Sequence, residues 1–519
     1  MLGGRALTRR RLPLAGLVAL ALLAFLPAAF SGFLADDFIL LRTLRHVEGI
    51  GSAFSRNDIG EAGEAGHFYR PVWVLWNAGI KDLLGTGAFG FHAADLLLYA
   101  GVTLEVWALV RRLAGESCAW VAAAVFAVYP RHGETVAWVS GSTDLTAAAL
   151  ALAALICATA HWRLSIRVMS TAGFAVLAVL AKEAAFVLPV LALLLLWALR
   201  DRRAWLLIPG ATALAVLAVA IARYEVIGGV GGYTAYPWTA RRVIESLTSY
   251  TAASVAPPDL ELLRHKALLL IPVGILALAA ARLWSLWRLR AQERARLVLI
   301  GLAWFLVSLL PALNIAVDLN NANGERLMFL ASVGLALAFA ALVEARWLIG
   351  AVVAAGLALS LLSSRDWLEA HRISSRVVGS AAALAPPGGE LVLLSAPENY
   401  RTAHIFPGGN IDAALAWDGR PDATTSICSE VVVREAKARV LSFMRLDASR
   451  YRGQTTWSAP FDFPVSRPPS PLSPDCSYLR GASGPPGLGL VAVVAPKPSK
   501  QPAVLAFFDG YSLRRCCPS

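Results

Sequence analysis

The stretch Leu34-Ala35-Asp36-Asp37-Phe38 sets two adjacent carboxylates at the end of the first long apolar run, Leu12 to Leu34. Carboxylates are expensive in a bilayer core, so a pair at the end of a spanning helix belongs at the water interface. An acidic pair there can hold a divalent cation such as Mg or Mn. Alternatively, one member can take a proton from an attacking hydroxyl. A plain solvated helix end would read the same way, so the rest of the chain has to decide.

Apolar residues make up 57% of the 519, and mean hydropathy is +0.59. Both exceed what a soluble domain shows, and apolar runs recur to about residue 363. The chain therefore reads as an α-helical polytopic membrane protein. Its formal charge of +12 does not point to nucleic acid. The arginines sit largely in short gaps between apolar runs, which is a topology signal. The N-terminal Arg9-Arg10-Arg11 followed by an apolar run resembles a secretion signal, but the run is long enough to span, and it reads as an uncleaved first helix.

Eleven candidate spans emerge, at roughly 12–34, 89–110, 117–130, 142–162, 168–181, 184–200, 204–223, 266–287, 297–317, 327–343 and 347–363. Placing the N-terminal arginines in the cytoplasm puts Arg111-Arg112, Arg163 and Arg167, Arg200 to Arg203, Arg282 to Arg296, and Arg346 on that side as well. The opposite face then receives the loops 35–88, 129–144, 224–265 and 318–326. Asp36, Asp37, Arg70, His132, Glu134, Asp144, Lys182, Glu183, Glu325 and Arg326 all fall there. That one-sided clustering suggests an active site at the outer interface. A transporter would more naturally carry ionisable residues at mid-membrane, where Asp95 and Glu105 are the main ones.

Each outer loop also has a structural explanation. Trp73, Trp76, Ile80 and Leu84 have helical spacing and predict an interfacial helix over Tyr69 to Leu84. Asp144 opens an Ala/Leu-rich helix and can simply cap it. Lys182-Glu183 breaks an apolar stretch and can be a tight loop, or Lys182 can reach a phosphate. Arg326 lies on the outer side, against the topology rule; a guanidinium fork for a lipid phosphate would supply a reason. The loop 224–265 is glycine-rich without phosphate-loop spacing and reads as a mobile loop or lid.

From Ser364 the composition shifts to Gly, Pro, Ser and Asp, and the segment 364–519 reads as a small extracytoplasmic α/β or β-rich domain. Leu391–Leu394, Val431–Val433, Leu488–Val494 and Ala503–Phe508 are its strand candidates. Outside the cytoplasm disulfides persist, and Cys428 with Cys476 is a candidate pair.

Taken in order, the motifs are Asp-Asp-Phe (36–38), Tyr-Arg-Pro-Val (69–72), Phe91-His92 ahead of Asp95, Pro130-x-His132-x-Glu134 with Val-Ala-Trp and Asp144 following, Ala-Lys-Glu (181–183), and Glu325-Arg326-x-x-Phe329-Leu330-x-Ser332. The set resembles the membrane part of the transmembrane and tetratricopeptide-repeat O-mannosyltransferases and their bacterial relatives. These are GT-C superfamily enzymes, as is the lipid A aminoarabinose transferase. Two departures stand out: Phe329-Leu330-Ala331-Ser332 replaces the usual Tyr-Leu-Pro-Ser, and the tail has no 34-residue repeat.

The resemblance implies an inverting glycosyltransferase in the cell membrane, moving a hexosyl, mannosyl or pentosyl group from a polyprenyl-phosphate donor to an outer hydroxyl of a protein, lipid or glycan. It implies Asp36 or Asp37 as base or metal ligand, with Asp36 favoured as the base. Arg70, Lys182 and Arg326 would meet the leaving phosphate, and His132, Glu134, Asp144, Glu183 and Glu325 would shape or support the sugar pocket. The competing expectations are a transporter or flippase for lipid-linked sugars and a membrane anchor presenting the tail.

Overall fold

The computed structural model describes residues 4–47, 49–54, 68–228, 237–258, 270–289, 291–317, 323–393, 396–406 and 411–427, together with tail segments 433–434, 441–442, 446–447, 476–480, 492–496, 503–508 and 511–515. Six helices are long and apolar enough to cross a membrane: Ala88–Ala114, Leu164–Ala181, Leu207–Ile227, Gln292–Ala312, Glu325–Leu342 and Arg346–Leu384. The chain is a membrane protein. Leu14–Ala24, Glu116–Ala127, Ser142–Ala158 and Glu183–Ala198 are apolar but shorter. Of the eleven expected spans, six thus have helices of spanning length among the described residues, others have shorter apolar helices, and Leu270–Arg288 is also helical.

Local chemistry explains where several helices stop. The first α-helix ends at Ala24, ten residues short of Leu34. Pro27 follows in a 3₁₀ turn, Leu26–Phe30, because proline lacks the amide that would continue the α-ladder. Lys182 ends Leu164–Ala181 in extended backbone, so the two charges turn the chain. The last helix passes the expected end at 363 and runs to Leu384. The expected loop or lid at 224–265 contains the helix Ala240–Val255, capped by the Thr239 side chain accepting from the Arg242 amide. The helix expected over Tyr69 to Leu84 is present as Pro71–Leu84, with Trp73 and Ile80 buried.

The chain folds into two compact units. The first comprises Met1–Ser31 and Thr43–Arg365; the second comprises Gly32–Arg42 and Asp366–Ser519. The core of the first unit gathers Phe25, Tyr99, Phe126, Leu152, Leu191, Trp304, Phe329 and Leu337 among others. Gly301 and Gly334 let the helices Gln292–Leu309 and Phe329–Leu342 touch backbone to backbone, since a Cβ on either would overlap the other's carbonyl oxygen.

The second unit holds a four-stranded sheet in the order Leu513–Arg515, Ala503–Phe508, Glu390–Leu393, Thr424–Ile427. Glu390–Leu393 pairs parallel with both Ala503–Phe508 and Thr424–Ile427, and Leu513–Arg515 runs antiparallel to Ala503–Phe508. A smaller sheet pairs Pro397–Tyr400 antiparallel with Ala403–His404. Strands therefore occur where Leu391 and Ala503 begin their apolar runs. Cys428 and the Cys476 side chain lie outside the described residues, and so does the candidate disulfide.

Candidate functional site

Within the first unit the structure brings together eight of the ten candidate residues. Arg70, at the N-cap of the helix Pro71–Leu84, forks onto Glu183, with Nε donating to Oε2 at 3.2 Å and Nη2 to Oε1 at 2.6 Å. Lys182 is fully buried and ion-pairs with Asp144. Arg326 ion-pairs with Glu134 and lies 3.9 Å from Asp144 Oδ2. Its own amide donates to Glu134 Oε2 at 2.8 Å, and its guanidinium sits over the Trp138 ring at 5.1 Å. Asp144 thus links Lys182 to Arg326, and adjacency in sequence links Lys182 to Glu183.

Two members were missed in the sequence. Arg223, near the end of Leu207–Ile227, approaches Glu183 Oε2 at 3.6 Å and donates to the Tyr69 carbonyl at 3.3 Å. A lone arginine at the outer end of a predicted span was the available signal, the same one that marked Arg326. Arg131 ion-pairs with Glu325 and donates to the Ala256 and Pro257 carbonyls at 2.9 and 3.0 Å. Burial pushes its guanidinium down to about 10, still charged at neutral pH.

The charges make sense together. A buried ion alone is costly, and each buried carboxylate here meets a cation. Five cations (Arg70, Arg131, Lys182, Arg223, Arg326) face four carboxylates (Glu134, Asp144, Glu183, Glu325). The cationic surplus lies at Glu183, which is shared by Arg70 and Arg223.

His132 takes no part in the ion pairs. Its Nδ1 lies 2.9 Å from the Tyr99 hydroxyl and its Nε2 lies 2.9 Å from the Ser332 hydroxyl. Burial holds the imidazole well below its usual range, so it is neutral at neutral pH. A neutral ring carries one N–H, which can donate to one of these hydroxyls; the Tyr99 and Ser332 hydroxyls themselves donate to the Phe126 and Phe329 carbonyls at 2.9 and 2.7 Å. His132 therefore reads as a packing and hydrogen-bonding residue that ties the loop after Pro130 to the start of Phe329–Leu342.

Asp36 and Asp37 belong to the second unit. Asp37 is fully buried, and its Oδ2 accepts the Leu34 amide at 3.0 Å, closing the turn that starts the helix Asp37–Arg45. Asp36 is half-buried. Ala35, between Leu34 and this pair, has φ +50, a left-handed conformation rare for a residue with a Cβ. Among the described residues, no group of three His, Cys, Asp or Glu side chains is arranged to hold a metal.

No family profile matches the chain, and no curated protein does. Among solved structures, the fold is similar to the crystal structure of ArnT from Cupriavidus metallidurans in the apo state. Identity is 13%, the match covers 81% of this chain and 86% of that one, and the TM-score is 0.46. The same protein bound to undecaprenyl phosphate is similar over 78% of this chain and 84% of that one, at 13% identity and a TM-score of 0.41. Overlaps of that degree leave function to be argued from the chain's own residues.

Proposed function

We propose that this chain is an integral membrane glycosyltransferase that moves a sugar from a polyprenyl-phosphate donor to an extracytoplasmic hydroxyl with inversion. The observation that carries the reading is the convergence of Arg70, Lys182 and Arg326, with Arg223, into one buried network beside apolar helices. A polyprenyl phosphate has the complementary chemistry, an apolar tail for the bilayer and a charge for the guanidinium forks. The order of motifs in the sequence supports the same assignment.

In the proposed reaction the acceptor oxygen attacks the anomeric carbon as the bond from that carbon to the phosphate oxygen breaks. The hydroxyl proton goes to Asp36, and the electron pair leaves with the lipid phosphate. Asp36 suits the base better than Asp37, whose carboxylate is buried and engaged by Leu34. The cations offset the charge that grows on the leaving phosphate. Glu134, Asp144 and Glu183 orient those cations, and Glu325 does the same for Arg131. In this reading the N-terminus is cytoplasmic, and residues 364–519 form the extracytoplasmic domain of a multi-pass protein whose partners are the lipid donor, bilayer lipids and the acceptor.

The test is transfer by the purified protein from a set of polyprenyl-phosphate sugars, followed by mass spectrometry. Asp36→Asn should lower the rate by up to about 10⁴-fold while the protein remains folded. Full activity in that variant would remove Asp36 from the chemistry. Movement of the intact lipid-linked sugar across vesicles without cleavage would move the flippase reading to the front.

A further inference from the structure

We propose that the C-terminal segment is the frame that positions the Asp36 loop, with Trp417 as its principal positioning side chain. The proposal rests on the assignment of Asp36 as base. Residues Gly32–Arg42 belong to the same compact unit as Asp366–Ser519. Three contacts build that association. The Ala35 amide donates to the Ile405 carbonyl at 3.0 Å. Phe33 stands edge-on to Trp417, with ring centroids 6.1 Å apart and planes at 81°. Gly32 lies so close to the His371 ring that a Cβ there would overlap it.

Each of these partners is itself fixed. The Ile405 amide donates to the Glu398 carbonyl at 2.8 Å, which anchors it beside the strand pair. Next to it, His404 bonds Asn399 through Nδ1 at 2.9 Å and meets Trp367 edge-on at 5.7 Å. Trp417 ends the helix Ile411–Trp417, and His371 comes from the helix Arg346–Leu384.

The left-handed φ of Ala35 gives these contacts their meaning. A non-glycine residue stays in that region only when its surroundings over-determine it. Gly32, Phe33 and Ala35 are each gripped by a residue beyond 365, and Asp36 follows directly. The tail thereby fixes where the base stands. A loop free to relax would let the carboxylate drift, and a displacement of about 1 Å can cost on the order of 10²-fold in rate.

The experiment uses the full-length protein in nanodiscs and compares wild type, Trp417→Ala and Trp417→Phe by amide hydrogen exchange and by sugar-transfer kinetics. In Trp417→Ala, exchange at Leu34, Ala35 and Asp37 should quicken by roughly tenfold or more, while the helix Ser142–Ala158 is unchanged. The kcat should fall by roughly tenfold or more with KM for the lipid donor within about twofold, and Trp417→Phe should recover both. Unchanged exchange over 34–37 would overturn the proposal, and so would quickened exchange with unaltered kcat. Quickened exchange in a protein whose wild type transfers no sugar would leave the frame standing and sink the transferase reading. Gly32→Ala, which pushes the loop off His371, gives the same readouts should Trp417→Ala fail to fold.

Discussion

The network around Glu183 and the loop around Asp37 hold buried carboxylates by different means. Glu183 answers charge with charge: Arg70 forks onto it and Arg223 shares it. Asp37 is held by backbone, through the Leu34 amide in its own turn. The first arrangement couples residues far apart in the chain, so removing one ion exposes another. The second is local in sequence: a change there loses the hydrogen bond from the Leu34 amide, three residues away. Both arrangements hold a carboxylate in place, one through distant cations and the other through its own turn.

The comparison breaks most readily at Glu183. Glu183→Gln keeps the shape but leaves Arg70 and Arg223, each only 4% exposed, without their shared carboxylate. Stranding buried charge should cost about 3 kcal/mol or more. Chemical unfolding in detergent, followed by tryptophan fluorescence, reads that loss. A cost under about 1 kcal/mol would mean that the pair behaves like an exposed one.

Asp37→Ala probes the other arrangement. It removes the acceptor for a buried amide, which should cost about 1–3 kcal/mol. The loss should be local, visible as faster amide exchange over Leu34 to Leu40 with no change at Lys182 or Glu183. Asp37→Asn retains an acceptor oxygen and should recover much of the stability. If Asp37→Asn is as damaging as alanine, the negative charge matters more than the hydrogen bond, and the contrast between the two regions narrows.

What could be read from the sequence follows from how far each interaction reaches. Arg70, Lys182 and Arg326 were visible because an arginine or lysine in a loop that the charge pattern assigns to the outer side needs a reason, and their carboxylate neighbours were visible for the same cause. The pairing was not, since Arg70 meets a residue 113 positions away and the Arg326 amide one 192 positions away. Arg223 passed for a helix end because nothing nearby marked its partner. The apolar run from Leu12 hid the break at Pro27, so Asp36 and Asp37 looked like the tip of a spanning helix. The association of the neighbouring Ala35 with Ile405 and of Phe33 with Trp417 leaves no local periodicity at all. The helix Ala240–Val255 was obscured by its glycine-rich flank, although its own residues have helical character and Thr239 supplies a cap.

The smallest expected effect is a pH dependence at His132, which tests whether a neutral ring sits among the first unit's charges. In the folded chain burial lowers the imidazole's proton affinity; unfolded, it titrates near its ordinary value, about 6.5. Below that value the unfolded state binds a proton that the folded state does not. Stability contributed by the buried neutral ring is therefore complete above about 6.5 and falls with decreasing pH, by about 1.4 kcal/mol per pH unit for one group. His132→Gln can still bond the Tyr99 and Ser332 hydroxyls but does not titrate, so between pH 6.5 and 5.5 its unfolding free energy should fall less steeply than that of wild type, by about that amount. Other histidines contribute equally to both proteins and cancel in the difference. Parallel slopes would mean that the folded ring accepts a proton between Tyr99 and Ser332, and a further cation would then stand beside the five of the ion-pair network.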